Sequence, residues 1–388
     1  MAMADAVTEV DPETARRWRL VLGRYADRAL PQARDDAAIE RALRYLYDRE
    51  YAARGHRTGR GGTLDPTALV SIDGRAADWK ALEWLGAARS LFPKATFERM
   101  QADAVGRYQI TELLADPKAA ETLEPSRELA TALLAVRGKL DERAAAGLRV
   151  VIAKVVDDIV RRLRPRFATA LAGRKDFTRR SVHRVAQNFD WRRTLRANLG
   201  RYDPATQRLM VSDVRFVSRA RRTLTWDVIV LVDQSGSMAA SLLYSAVCAG
   251  IMTGLPGISV RLVLFDTSLV DLSHMAHDPV GVLLTAQLGG GTDIAQAMRF
   301  AEQAVRTPSR TVVVLVSDFE EGGSVTELLG CTRRLAESGV RLLGLAALDE
   351  GAEGRYDRGV AQRLADCGMQ VAALTPDRFA EWLGEVMR

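Results

Sequence analysis

The stretch Val228–Met238, VIVLVDQSGSM, constrains this chain more than any other. An apolar, mostly β-branched run with no alternation suits a strand buried on both faces, as in a parallel sheet. The run ends abruptly in Asp-Gln-Ser-Gly-Ser. In an open α/β sheet, ligands bind at the carboxyl ends of the strands. Asp233, Ser235 and Ser237 alternate, so an extended loop can turn their three oxygens towards one point. Gly236 permits the tight turn that this requires.

Two later stretches can complete such a site. Leu288–Ile294 reads LGGGTDI and sets Thr292 behind three glycines that allow close backbone approach. Val312–Phe319 reads VVVLVSDF, a second buried strand with Asp318 just past its end. Oxygen-only donors of this type suit a hard divalent cation, with Mg²⁺ expected and Mn²⁺ or Ca²⁺ as alternatives.

The D-x-S-G-S, Thr and Asp set resembles the metal-ion-dependent adhesion site of von Willebrand factor type A (VWA) domains. The resemblance covers Trp226–Arg388, and all five positions are filled. It implies that Ser235, Ser237 and Thr292 bind the metal through hydroxyls, and Asp233 and Asp318 directly or through water. It also implies docking rather than turnover, since neutral hydroxyls leave the cation able to accept a partner's carboxylate. Asp293 either accepts from the metal's waters or caps a helix. Asp266, in LFDTS, points to the same edge and either backs the metal's ligands or closes a turn, and Glu320 and Glu321 belong to the rim.

Apolar runs and helical periods alternate from Trp226 onwards, which predicts a doubly wound, mostly parallel α/β sheet. Strands are expected at Asp227–Val232, Ser259–Phe265, Leu269–Leu272, Thr311–Ser317, Arg341–Leu348 and Gln370–Leu374. Between and after them, helices are expected at Ala239–Thr253, Asp293–Val305, Val325–Glu337, Arg358–Asp366 and Asp377–Met387. The uncharged stretch Ala239–Val260 is broken by Pro256–Gly257 and reads as a buried core helix rather than a membrane span.

The first 160 residues read as an all-α domain. One apolar face joins Trp18, Val21, Leu22 and Tyr25, and another joins Ile39, Leu43, Leu46 and Tyr47. Further helices are expected at Trp79–Ser90, Phe97–Val105, Tyr108–Ala115 and Ser126–Val136. The clearest helix, Ala144–Leu163, carries a buried stripe from Leu148 to Leu163 and is expected to stop at Pro165. Asp157 and Asp158 fall on its solvated flank. Gly55–Gly62 reads as a flexible connection, because no Lys-Ser/Thr follows it as in a phosphate-binding loop.

Charge divides the chain into a neutral helical domain (1–160), a basic connector (161–225) and an acidic VWA-like domain (226–388). Residues 161–222 carry 18 basic and 4 acidic side chains, whereas 223–388 carry 12 basic and 20 acidic. The connector segment Phe189–Leu199, FDWRRTLRANL, resembles the segment that precedes the type A domain in bacterial CoxE-like proteins. That resemblance implies a MoxR-family AAA+ ATPase as partner.

Three isolated cysteines, Cys248, Cys331 and Cys367, suit a reducing, cytoplasmic setting. The amino-terminal sequence has neither the basic start nor the apolar core of a signal peptide. His274 and His277 lack the further ligands of a zinc site, and no identifiable base serves Ser235 or Ser237, so no enzyme activity is expected. The expected function is a non-enzymatic, metal-dependent protein-binding adaptor without a membrane partner. Its rivals are a nucleic-acid-binding protein using the basic connector, and the VWA subunit of a metal-chelatase-like complex.

Overall fold

In a computed structural model of the 388-residue chain, the described residues are 11–23, 30, 36–53, 81–108, 110, 112–171, 175–180, 186–219, 225–348 and 355–387. Tyr25 and the Gly55–Gly62 stretch lie outside them. Tertiary contacts divide the chain into two units, Met1–Val155 and Val156–Arg388.

The first unit is helical. It comprises α1 (Pro12–Leu22), α2 (Ala37–Ala53), α3 (Ala81–Leu91), α4 (Lys94–Gly106), α5 (Glu112–Ala115), α6 (Pro117–Thr122), α7 (Arg127–Val136) and the first half of α8 (Glu142–Ala170). Local sequence starts several of these helices. Asp11, Asp116 and Ser126 each accept a hydrogen bond from a first-turn backbone N–H, as N-caps do. Trp84, Phe97, Leu113, Leu129 and Leu133 are buried in its core. Trp84 stacks on Tyr45 with ring centroids 5.2 Å apart and donates its indole N–H to the Ala42 carbonyl at 3.0 Å.

Helix α1 departs from the apolar face expected of it. Trp18, Val21 and Leu22 are exposed, while Arg19 is buried. Arg19 pairs with Glu40 at 2.7 Å and Arg16 with Asp36 at 2.6 Å. A buried guanidinium is costly unless a carboxylate matches it. These pairs therefore turn the charged face of α1 inward.

Helix α8 also departs from expectation, because it runs through Pro165. Proline removes one N–H, but Arg161 and Pro165 both lie on the exposed face, where water can satisfy the freed Arg161 carbonyl. The buried stripe continues through Leu163, Phe167 and Leu171. Phe167 meets Phe379 edge to face at 6.2 Å, and this packing carries the helix past the break. Asp157 and Asp158 are exposed, on the solvated flank.

The second unit continues with β1 (Lys175–Arg180), α9 (Trp191–Asn198), β2 (Tyr202–Asp203), β3 (Arg208–Leu209) and β4 (Val217–Arg219). Strands β1 and β4 pair antiparallel, as do β2 and β3. The α/β domain follows in chain order as β5 (Trp226–Asp233), α10 (Ala239–Thr253), β6 (Ile258–Phe265), β7 (Leu269–Asp271), α11 (Pro279–Thr285), α12 (Ile294–Ala304), β8 (Thr311–Val316), α13 (Val325–Glu337), β9 (Arg341–Leu348), α14 (Arg358–Asp366), β10 (Gln370–Leu374) and α15 (Pro376–Val386). Its sheet order is β10-β9-β8-β5-β6-β7, parallel throughout except for β7 against β6.

The uninterrupted apolar runs are explained by cover on both faces. Ile229, Leu231, Val263, Phe265, Val313 and Leu315 pack with residues of α12, α13 and α14 in one cluster. Helix α10 lies against β5, β6 and β9 and is buried along most of its length. Its apolar character therefore serves the core: 72% of the 18-residue window Gly236–Thr253 is buried. Helix α11 was not anticipated from sequence, although Asp278 before Pro279 caps it by accepting from Gly281 N–H at 3.1 Å.

The packing around the break in α8 is testable by urea denaturation followed by circular dichroism. Phe167→Ala should cost about 3–5 kcal/mol, as for a buried aromatic. Pro165→Ala should stabilise the protein, by up to about 3 kcal/mol, because it restores the missing helix bond.

Candidate metal centre

Strand β5 turns at its carboxyl end, between β8 on one side and β6 on the other. The strand order reverses there, which opens a crevice of the kind that binds ligands in doubly wound sheets. Val232 is in register with Val316, so Asp233 and Ser317 emerge at the same level. The Ser317 hydroxyl donates to Asp233 Oδ2 at 2.8 Å, and the Ser235 N–H donates to Asp233 Oδ1 at 2.8 Å. Ser237 Oγ donates to Asp318 Oδ2 at 2.7 Å and lies 3.2 Å from Ser235 Oγ. The first and third loops thus bring Asp233, Ser235, Ser237 and Asp318 together.

Thr292 is placed by its backbone. Its carbonyl accepts from Gly322 N–H at 2.8 Å, which ties the glycine-rich loop to the loop after β8. Among the described residues, no hydrogen bond joins the Thr292 hydroxyl to the other four. Gly289 and Gly290 have φ values of 126° and 102°, which side chains rarely tolerate. At Gly322 the need is space, since a Cβ would lie 2.7 Å from the Thr292 carbonyl oxygen.

Asp293 caps α12, accepting from Gln296 N–H at 2.8 Å. Asp266 serves as the turn residue, one of its two expected roles. It closes its own turn by accepting from Ser268 N–H at 2.6 Å, and it accepts from the Gln234 amide at 3.1 Å. Glu321 binds rather than merely rims: Oε2 accepts from Ile294 N–H at 2.9 Å and Oε1 from Gly323 N–H at 2.8 Å. His274 and His277 are exposed.

Sequence reasoning missed two residues. Ser317 reads as the last polar position of a strand, yet it holds both Asp233 and the Phe319 N–H, the latter at 3.1 Å. Gln234 joins three segments: its amide nitrogen reaches Asp266, its amide oxygen accepts from Gln287 N–H at 3.0 Å, and its carbonyl accepts from Gly289 N–H at 3.1 Å. A long polar side chain directly after a buried strand was the available signal. Phe319 is held at φ 61°, a strained value for a bulky residue. Its buried ring, edge-on to Tyr356 at 6.2 Å, fixes the turn that aims Asp318.

A family model for VWA domain containing CoxE-like protein matches residues 159–383. The protein YehP of Escherichia coli (strain K12) is 40% identical over 374 residues, covering 95% of this chain and 96% of that protein. This chain belongs to the CoxE-like VWA family. Among solved structures, an aerotolerance-related membrane protein from Bacteroides fragilis NCTC 9343 aligns at 14% identity over 42% of this chain and 98% of that one, with a TM-score of 0.32. The RO (RSR) protein of Deinococcus radiodurans aligns at 15% identity over 94% of this chain and 67% of that one, with a TM-score of 0.30. Likenesses at that level add nothing to the family assignment.

The donor set of this CoxE-like VWA chain suits a hard cation, because every donor is oxygen and two are carboxylates. Asp233 is fully buried, and among the described residues neither it nor Asp318 has a cationic side chain as partner. Burial pushes the Asp233 carboxyl above the usual carboxylate range, and the charge of Asp318 adds to this. The Ser235 N–H and the Ser317 hydroxyl pull the other way. A buried carboxylate left without a counter-charge is what a bound divalent cation would relieve.

A carboxyl whose pKa is raised in the folded state costs stability once pH exceeds its unfolded value, because the folded protein holds the extra proton. In EDTA, Asp233→Asn should therefore raise the melting temperature at neutral pH by a few degrees, about 1 kcal/mol. The gain should shrink as pH falls through the ordinary carboxylate range. Differential scanning calorimetry between pH 4 and pH 8 checks this; a lower melting temperature for the variant at every pH would refute it.

Proposed function

We propose that this chain is a cytoplasmic, non-enzymatic adaptor that docks a partner protein through a metal at the carboxyl edge of its VWA sheet. Asp233, Ser235, Ser237, Thr292 and Asp318 would hold Mg²⁺, with Mn²⁺ or Ca²⁺ as substitutes. When bound, that cation supplies an open position for a carboxylate oxygen of the partner. The observation carrying this reading is the junction of the first and third loops, where Ser237 Oγ lies 2.7 Å from Asp318 Oδ2 and 3.2 Å from Ser235 Oγ. Family resemblance supports a MoxR-type AAA+ ATPase as the partner, in a chaperone-like or regulatory complex.

The arrangement of hydroxyls favours docking over hydrolysis. Ser235 and Ser237 hydrogen-bond to each other and to Asp318, and among the described residues no histidine stands beside them as a base. The three cysteines are free and buried, as suits a reducing compartment. Gln234 and Asp266 hold the loops in place, so the chain's contribution is a preformed cradle rather than a reacting group.

Two measurements test the proposal. In a thermal-shift titration Mg²⁺ should raise the melting temperature of the wild type, by about 2.7 kcal/mol of stabilisation at a hundredfold excess over Kd. Asp318→Ala should abolish the shift. Affinity purification with Mg²⁺ should recover an AAA+ ATPase that is lost in EDTA and with Asp318→Ala. Partners retained under both conditions would refute metal-dependent docking.

A further inference from the structure

Helix α9 is built inside out. Its buried residues are polar, Thr194 at 3% and Asn198 at 0% exposure. The Thr194 hydroxyl accepts from Arg215 N–H at 2.9 Å. Asn198 donates to the Asp213 carbonyl at 2.8 Å and accepts from Ser212 N–H at 2.9 Å. The apolar residues Trp191, Leu195 and Leu199, at i, i+4 and i+8, form the adjoining strip and are 58%, 40% and 57% exposed. A surface helix ordinarily turns its apolar stripe inward. Here specific hydrogen bonds keep it outward, and a contiguous exposed apolar stripe marks an interaction surface.

The surroundings state the partner's charge. Residues 186–219 contain arginine but no lysine. Arg193 pairs with Asp190 at 3.6 Å, Arg215 pairs with Asp213, and Arg192 lies over the Trp191 ring at 5.3 Å. Among the described residues Arg196, Arg201 and Arg208 meet no carboxylate. Free guanidinium forks suit carboxylates presented at fixed positions. Exposed Trp and Arg are also the residue types that dominate protein–protein hot spots.

We propose that α9 and its flanking turns form a docking surface for an acidic amphipathic helix of another protein, with Trp191, Leu195 and Leu199 taking its apolar face and Arg196 and Arg201 its carboxylates. A second copy of this chain fits poorly through the same surface or through its acidic domain. Two α9 surfaces placed together would oppose arginine to arginine. The acidic domain from residue 223 onwards offers Val270 as its large exposed apolar residue among those described, too little to receive the stripe. The surface is separate from the candidate metal centre, so it stands or falls independently of metal docking.

The test uses the full chain in EDTA and a labelled synthetic helix of about 18 residues, long enough to be partly helical in isolation. One face carries leucine and its flanks carry glutamate; a counterpart carries lysine. Fluorescence anisotropy should show saturable binding of the glutamate peptide alone. Leu195→Ser and Arg196→Glu should each weaken it by about tenfold or more, with unchanged circular dichroism and melting temperature. If Leu195→Ser unfolds the protein, Arg196→Glu carries the comparison. Absence of binding, equal binding of the lysine peptide, or indifference to both substitutions overturns the proposal. Binding to phosphatidylglycerol vesicles without binding to the peptide also overturns it and assigns the surface to a membrane.

Discussion

The constraint on which the α/β unit turns is a carboxylate buried at the end of its central strand. Asp233 ends β5 between two parallel neighbours and is fully shielded from water. A buried charge has to be matched, and here hydrogen bonds do part of that work. Ser235 N–H and the Ser317 hydroxyl each take one carboxylate oxygen. Those two bonds set the direction of the first loop and fasten it to the end of β8. Ser237 then reaches Asp318, and the first loop meets the third.

Around that carboxylate the other loops are held largely by hydrogen bonds. Gln234 ties the first loop to the turn after β6 and to the stretch before the glycines. Glu321 caps α12 from the far side, and the Gly322 N–H meets the Thr292 carbonyl. Phe319 supplies the apolar anchor, its strained backbone held by burial. A sheet edge cross-tied in this way presents preformed oxygens at the crevice, each positioned by groups that are themselves hydrogen-bonded.

The same balance between polar satisfaction and apolar burial acts elsewhere with the opposite outward result. In α1 the Arg19–Glu40 and Arg16–Asp36 pairs bury the charged face and leave Trp18 and Val21 in water. In α9 Thr194 and Asn198 do so with neutral hydrogen bonds. Periodicity identifies an apolar stripe on a helix, but it does not say which side the fold covers. In α8 periodicity is the better guide: the stripe ending at Phe167 and Leu171 overrides the single proline.

The sequence by itself determined the parallel sheet, because runs such as Val228–Val232 and Val312–Val316 can be satisfied only by cover on both faces. It also determined which oxygens stand at the strand ends, since Asp233, Ser235, Ser237 and Asp318 follow those runs directly and a strand end cannot be displaced far from its strand. Tertiary structure alone decided the rest. The roles of Ser317 and Gln234 and the outward turn of Trp191 and Leu195 depend on partners from 14 to 84 residues away. Local patterning carries no information about such pairings; they exist only once the sheet order and the loop crossings have been set.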